Sequence, residues 1–354
     1  MKRAVTLQDI AHKLSVSKAT VSLALRGDKR VGAETRELVK RTAEELGYRP
    51  DATMTQLMER VRSTTPQPYQ ATLAVINTDP NRVVFDFVTS YKEWLDGVKE
   101  RADMRGYKLD SFWLHEPGMT EDRLIEILRS RNIEGVLVPA TNHYNSLPGQ
   151  FGRIWELFCC VVMGIRHTTP ILNFASNDQY ATGLDAVTAL HELGYNRVGL
   201  AMLEIMHQIV DGRFVAGYET GRRLCGCDED IPPLIFPDRK RGVDLLHRWI
   251  KKHKPQAILG IDRDMIRWVR DFGYDVPGDI ALAHLDHHAD MVGWAGMEQH
   301  NRLVGSAAVD LLINQISFGQ PGPPAVPTCT LVSSTWVPGP SVASRRKQGK
   351  ICPF

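Results

Sequence analysis

Apolar residues recur at helical spacing through the first fifty positions, then give way to short unbroken apolar runs separated by amphipathic stretches. In residues 6–14, Leu7, Ile10, Ala11 and Leu14 fall on one helical face behind Thr6, a good N-cap. Val16 follows at a tight turn. Ser17 then caps a second predicted helix with Val21, Ala24 and Leu25 facing inward, ended by Arg26-Gly27-Asp28. A third helix is predicted over 33–46, with Leu38, Val39, Thr42, Ala43 and Leu46 on one face, Gly47 at the left-handed cap and Pro50 blocking continuation. Residues 51–62 fit one more short helix, and 63–70 (STTPQPYQ) read as a polar, proline-bearing linker.

From residue 71 the period changes. Strand-like runs occur at 72–76, 108–114, 133–139, 159–164, 197–203, 256–261 and 280–285, with helical stretches between them at 87–105, 120–131, 180–193, 214–224, 242–253 and 301–317. Such alternation predicts parallel sheets covered by helices on both faces. The chain therefore divides into a helical head (1–50), a hinge and linker (51–70), an α/β body (71–340) and a basic, unpatterned tail (341–354) expected to be disordered.

Charge sharpens this division. Residues 1–62 hold 13 Lys+Arg against 8 Asp+Glu, while the remainder holds 30 against 33. A cationic head on a nearly neutral body suits a nucleic-acid partner. No run reaches the roughly 18–20 apolar residues of a membrane helix, and the opening MKRAVTLQDI has no apolar signal core, so a cytoplasmic protein is expected. The six cysteines form no CxxC pair, and the CGC at 225–227 has no matching His/Cys cluster, so neither a zinc site nor a disulfide framework is expected.

Two short helices joined by a tight turn over 6–25 fit a helix-turn-helix, whose second helix lies in the major groove with its N-terminal residues at base edges. That helix begins Ser17-Lys18-Ala19-Thr20. Ser17 and Thr20 can reach phosphates, Lys18 can donate to guanine, Ala19 can touch a thymine methyl, and Leu23 adds apolar contact one turn on. Lys29 and Arg30 offer further cations. The segment TLQDIAHKLSVSKATVSLALRGDKRVGAETRELVKRTAEELGYRPD resembles the head of the lactose- and purine-repressor (LacI/GalR-type) family of bacterial transcriptional regulators. The match is carried by Thr6, Ile10, Ala11, Val16, Ser17, Thr20, Val21, Ser22, Ala24, Leu25, Gly27, Val31, Gly47, Tyr48 and Pro50, among others. The resemblance implies DNA contacts from Thr6, Ser17, Lys18, Ala19, Thr20, Ser22, Leu23, Lys29 and Arg30. It also implies a hinge helix whose Leu57 wedges into the minor groove, opening a base step. Met54 and Asp51 depart from the alanine and asparagine usual there.

The resemblance continues more weakly to about residue 340, through IEGVLVP (133–139), HELGYNRVGL (191–200), RFVAGY (213–218), PQAILGID (255–262) and YDVPGDIALAHLD (274–286). It implies a periplasmic-binding-protein-like body of two doubly wound parallel-sheet lobes, about 71–167 plus 297–330 and about 168–296 plus the last strand, with a small-molecule effector in the cleft. A sugar is the expected effector. Ligands of open α/β sheets lie beyond the carboxyl ends of the strands, which selects Asn77, Asp79, Phe85, Asn142, His143, Arg213, Phe214, Asp262, Asp264 and Asp286. Three departures stand out: Phe214 holds the place of the family's cleft arginine, Asp262-Arg263 replaces an Asn-Asp pair, and the helix at 264–272 is a turn short.

The rival class is an enzyme, reading Asp286, His287, His288 and Asp290 as a metal or acid/base site. Adjacent residues of a loop point in different directions, and no GxSxG, P-loop, HExxH or GxGxxG stands in a convincing context. A third possibility is an architectural DNA-binder whose body only dimerises. The reading carried forward is a homodimeric repressor of a near-palindromic operator, with no cofactor and no metal.

Overall fold

The computed structural model describes residues 7–25, 31–46, 71–140, 146–166, 169–227 and 231–346. The head comprises α1 (Leu7–Leu14), α2 (Lys18–Leu25) and α3 (Ala33–Leu46). Ser15, in the left-handed region at φ 54°, reverses the chain so that Val16 N–H bonds back to Ala11 O at 3.1 Å. The Ser17 hydroxyl accepts from Thr20 N–H at 3.0 Å and caps α2, as its side-chain chemistry predicts. Ile10, Ala11, Val21, Ala24, Val31, Val39 and Ala43 form the buried core. Leu38, expected on the inner face of α3, is instead 44% exposed. The other two helices cover only the stripe of Val39, Thr42 and Ala43, and Leu38 lies beyond its edge.

The body contains two six-stranded sheets. The first is built from β1 (Ala71–Asn77), β2 (Tyr107–Trp113), β3 (Gly135–Pro139), β4 (Cys159–Gly164), β5 (Asn173–Asn177) and β11 (Cys329–Val332), ordered β11-β5-β4-β3-β1-β2 and parallel throughout. The second is built from β6 (Val198–Leu203), β7 (Leu234–Phe236), β8 (Ala257–Gly260), β9 (Ala281–His284), β10 (Ala295–Glu298) and β12 (Thr335–Val337), ordered β12-β10-β9-β8-β6-β7. There only β12 runs antiparallel, against β10. Every residue of β3 and β4 is buried, as unbroken apolar runs covered on both faces require.

The chain passes between the lobes three times, after β5, after β10 and after β11. The division is thus drawn differently from the sequence expectation. β5, placed in the second lobe by a boundary at 167/168, pairs with β4 in the first, and β10 extends the second sheet past residue 297. The tail also begins later than expected. Arg345 stacks its guanidinium over Tyr195, 4.8 Å from the ring centroid, and its N–H bonds Leu193 O at 2.8 Å, so residues up to 346 are ordered against the second lobe. Residues 347–354 lie outside the described residues.

Glycines set the helix spacing in each lobe. A Cβ on Gly97 or Gly305 would collide with the backbone of the facing helix, at Arg302 and Trp94 respectively, so helices Thr89–Met104 and Asn301–Ser317 pack at backbone contact. In the second lobe Gly217, the glycine of RFVAGY, lies against the Tyr180 carbonyl in the same way. Gly217→Ala is therefore expected to force the helices apart and to cost about 1–3 kcal/mol of stability, read as a lower melting temperature in thermal denaturation.

Candidate functional site: a head helix and an interlobe cleft

On the head, Ser17 and Lys18 are exposed at the start of α2, with Thr20 half-buried behind them. The Ser17 hydroxyl is already engaged with Thr20 N–H and lies 2.8 Å from the Thr20 hydroxyl, so its first duty is to hold the helix end. Leu23 packs partly into the head core. Ala19 and Ser22 stand on α2, but their side chains are outside the description, and Thr6, Lys29, Arg30 and Leu57 lie outside the described residues.

In the body, a cavity of about 690 Å³ opens between the lobes at the carboxyl ends of both sheets. One wall is the first lobe's aromatic ladder. Phe85 meets Tyr91 edge-on at 5.8 Å, and Tyr91 stacks on Trp94 at 4.9 Å. Leu203, Met206, Val210 and Phe214 form the opposite apolar wall.

A buried polar network crosses the cleft. His288, on the loop after β9, holds Glu93 of the first lobe through Nδ1 at 3.1 Å and Asp286 of the second through Nε2 at 3.2 Å. Ser90 donates its hydroxyl to Asp286 at 2.7 Å. Asn301 donates to Glu93 at 3.1 Å and to Asp286 at 3.3 Å, and its own carbonyl accepts from Trp94 Nε1 at 3.0 Å. Burial pulls the His288 pKa down, but the hydrogen bonds and charges of Asp286 and Glu93 outweigh it and raise the pKa to about 10. Burial likewise disfavours the Asp286 carboxylate, yet His288 and the Ser90 hydroxyl lower its pKa to about 2. Neighbouring His284 behaves oppositely: burial, only partly offset by Asp286, lowers it to about 4 and keeps it neutral.

A second cluster lies towards the mouth. Arg239 bonds Asp262 at 2.8 Å and closes on Asp264 as well, while Arg263 forks onto Asp290 at 2.8 and 3.1 Å and reaches Thr89 of the first lobe at 3.5 Å.

Of the residues selected from the sequence, Phe214, Asp262, Asp264 and Asp286 line the cavity. Four others do not. Asn77 accepts from Asp79 N–H at 2.9 Å and donates to Arg82 O at 3.1 Å, and Asp79 accepts from Asn81 N–H at 2.8 Å, so both shape the loop after β1. Phe85 backs Tyr91, and Arg213 turns its Nε onto Val210 O at 2.8 Å. Asn142 and His143 lie outside the described residues. Sequence reasoning missed Ser90, Glu93, Arg239 and Asn301, and weighed His288 only within the enzyme-like cluster. It also set aside the 286–290 cluster because neighbouring loop residues diverge. They do, since Asp290 leaves for Arg263, but Asp286 and His288 converge on each other, and His288 also reaches Glu93. Among the described residues no group of three or more His, Cys, Asp or Glu is placed to hold a metal ion, and no helix is long and apolar enough to cross a membrane.

Comparison with known proteins matches both parts of the chain. A family model described as bacterial regulatory proteins, lacI family, covers residues 6–51, and one described as a periplasmic binding protein-like domain covers 187–342. Catabolite control protein A of Priestia megaterium is 25% identical over 293 residues, spanning 80% of this chain and 82% of its own. Among solved structures, a transcriptional regulator CelR–cellobiose complex superimposes with a TM-score of 0.59 at 20% identity, covering 96% of this chain and all of that one. A lac repressor dimer bound to operator and the anti-inducer ONPF gives 0.56 at 20% identity with the same coverage.

The network makes stability depend on pH with a defined sign. Because His288 is raised above its ordinary 6.5, its contribution is full below that value and is lost as pH rises through about 10. Asp286, lowered from 3.8, contributes above that value and loses its contribution as pH falls through about 2. His284, lowered from 6.5, instead costs stability as pH falls from 6.5 through about 4. His288→Asn should therefore flatten the alkaline decline in melting temperature between about pH 7 and about pH 10, while lowering the melting temperature near neutrality. A variant with an alkaline slope equal to that of the natural chain would show that His288 is not ionised in the network.

Proposed function

We propose that this chain, whose head matches the lacI family of bacterial regulatory proteins and whose relatives are transcriptional regulators rather than enzymes, is a cytoplasmic repressor of that family that binds a near-palindromic operator as a homodimer and responds to a sugar effector held between its lobes. The observation that carries the reading is the cavity itself: its walls belong to both lobes, so a ligand that touches both necessarily biases their relative position. The CelR–cellobiose complex and the operator-bound lac repressor dimer support the sugar and the dimer respectively.

On this reading, α2 of each head enters a major groove with Lys18 and Ala19 at base edges, and Ser17, Thr20 and Ser22 towards phosphates. Thr6, Leu23, Lys29 and Arg30 complete the surface, and Leu57 wedges into the minor groove at the centre of the site. Two-fold symmetry places the half-sites about one helical turn apart. Helices of both lobes form the dimer surface. Asp262, Asp264, Phe214 and Asp286 are the effector-facing residues, and Asn142 and His143 are proposed to join them. Effector binding shifts the lobes, changes head spacing and weakens operator affinity by about 1–3 kcal/mol, with release as the sense of the coupling.

The decisive experiment is a thermal-shift screen against mono- and oligosaccharides, followed by operator titration with each hit. A hit that lowers operator affinity is expected, and a sugar that binds without altering it would refute the coupling. Leu57→Ala should weaken operator binding by about tenfold or more with the fold intact, whereas unchanged affinity would remove the wedge. Lys18→Glu should lower affinity and alter base preference, whereas an equal loss on every sequence would make Lys18 a phosphate contact.

A further inference from the structure

We infer that the cleft is built for an uncharged, hydroxyl-bearing ligand and turns anions away, so that sugar phosphates and sugar acids are excluded from it. This rests on the cleft being the effector site, and it adds a rule of charge that the family reading does not supply.

The first ground is that each cation facing the cavity is already neutralised by the chain. Arg239 lies between Asp262, at 2.8 Å, and Asp264. Arg263 is held bidentately by Asp290. His288 sits between Asp286 and Glu93. With Arg267, which also pairs Asp264 at 3.3 Å, these five carboxylates still outnumber the four cations, and an incoming phosphate or carboxylate would have to break a formed ion pair while facing the displaced acid. Arg213, the cation that the sequence offered for this role, points to Val210 O and is not part of the lining.

The second ground concerns the helix ends, which are the other natural anion sites. Helices Thr89–Met104 and Asn301–Ser317 both begin at the cleft. Their first-turn side chains, Ser90 and Asn301, converge on one carboxylate, that of Asp286. The chain thus supplies its own anion to the place where a ligand's anion would settle.

The third ground is what remains for a ligand to satisfy. Gln179 and Gln299 line the cavity and are 4% and 5% exposed, and neither side-chain oxygen has a hydrogen-bond partner among the described residues. The Gln299 amide is oriented by donation of Nε2 to Leu285 O at 2.9 Å, so the group left without a partner is its carbonyl. Buried acceptors without donors call for O–H or N–H groups. The flanking Tyr91, Trp94 and Phe214 suit the apolar face of a hydroxylated ring.

The test is calorimetric titration of the full-length protein with matched probes: cellobiose against cellobionate, glucose against glucose 6-phosphate, and inorganic phosphate alone. The neutral member of a pair should bind, and the anionic member should bind at least about tenfold more weakly. Asp262→Asn combined with Asp264→Asn frees Arg239 and should raise affinity for inorganic phosphate by about tenfold or more, with a cooperative thermal unfolding transition as proof of folding. Should the double variant fail to fold, Asp264→Asn alone is titrated with the same expected gain. Tighter binding of either anionic member to the natural chain overturns the inference, as does a folded variant that gains nothing for phosphate. If neither neutral sugar binds and the saccharide screen gives no hit, the sugar reading above falls, and the charge rule is still decided by the variant's response to phosphate.

Discussion

A chain that passes three times between two sheets leaves those sheets little freedom except to rotate about the passage. All else in the body follows from that constraint. The crossovers are bound to one another as well as to the lobes: Asn177, at the end of β5, donates to Gln299 O at 2.7 Å, Asp178 N–H bonds Val332 O at 2.9 Å, and His300 lies 3.0 Å from the Thr335 hydroxyl. The pivot is therefore a cross-linked unit. The carboxyl ends of the strands, where open α/β sheets leave their loops and helix starts unpaired, face one another across it.

The polar groups between the lobes follow from this geometry. A buried ion pair is a weak source of stability, because desolvation consumes most of its attraction, but it is strongly intolerant of misplacement. The Glu93–His288–Asp286 arrangement accordingly fixes how the lobes meet more than how tightly the chain folds. The aromatic ladder and the aliphatic wall opposite it provide surface that is indifferent to small rotations. Together they make a cleft with one position defined by charge and a broad apolar remainder.

Much of the framework was legible in the sequence, for physical reasons that differ by element. GVLVP and CCVVMG announce themselves because strands covered on both faces must be apolar throughout. NFASN of β5 does not, since it becomes a strand through its neighbours β4 and β11 rather than through its own composition. CTLV of β11, an exposed edge, is equally silent. At the cleft, Asp262, Asp264 and Asp286 were recoverable because they follow strands directly. Asn77 and Asp79 obey the same rule yet are consumed by their own loop. Ser90, Glu93 and Asn301 stand on helices and meet their partners across separations such as 195 and 208 residues, which no local pattern records.

The ordered stretch through Arg346 gives the molecule an asymmetry of attachment. Tyr195 donates its hydroxyl to Ala343 O at 2.7 Å, and Arg345 also reaches Asp279 O at 3.2 Å, so residues 343–345 are moored to the second lobe. The linker from the head enters the first lobe at Ala71. A fluorophore placed near position 346 thus travels with one jaw, and a second near position 71 with the other. The body carries at its two ends the handles from which any change in the angle between its lobes can be read in solution.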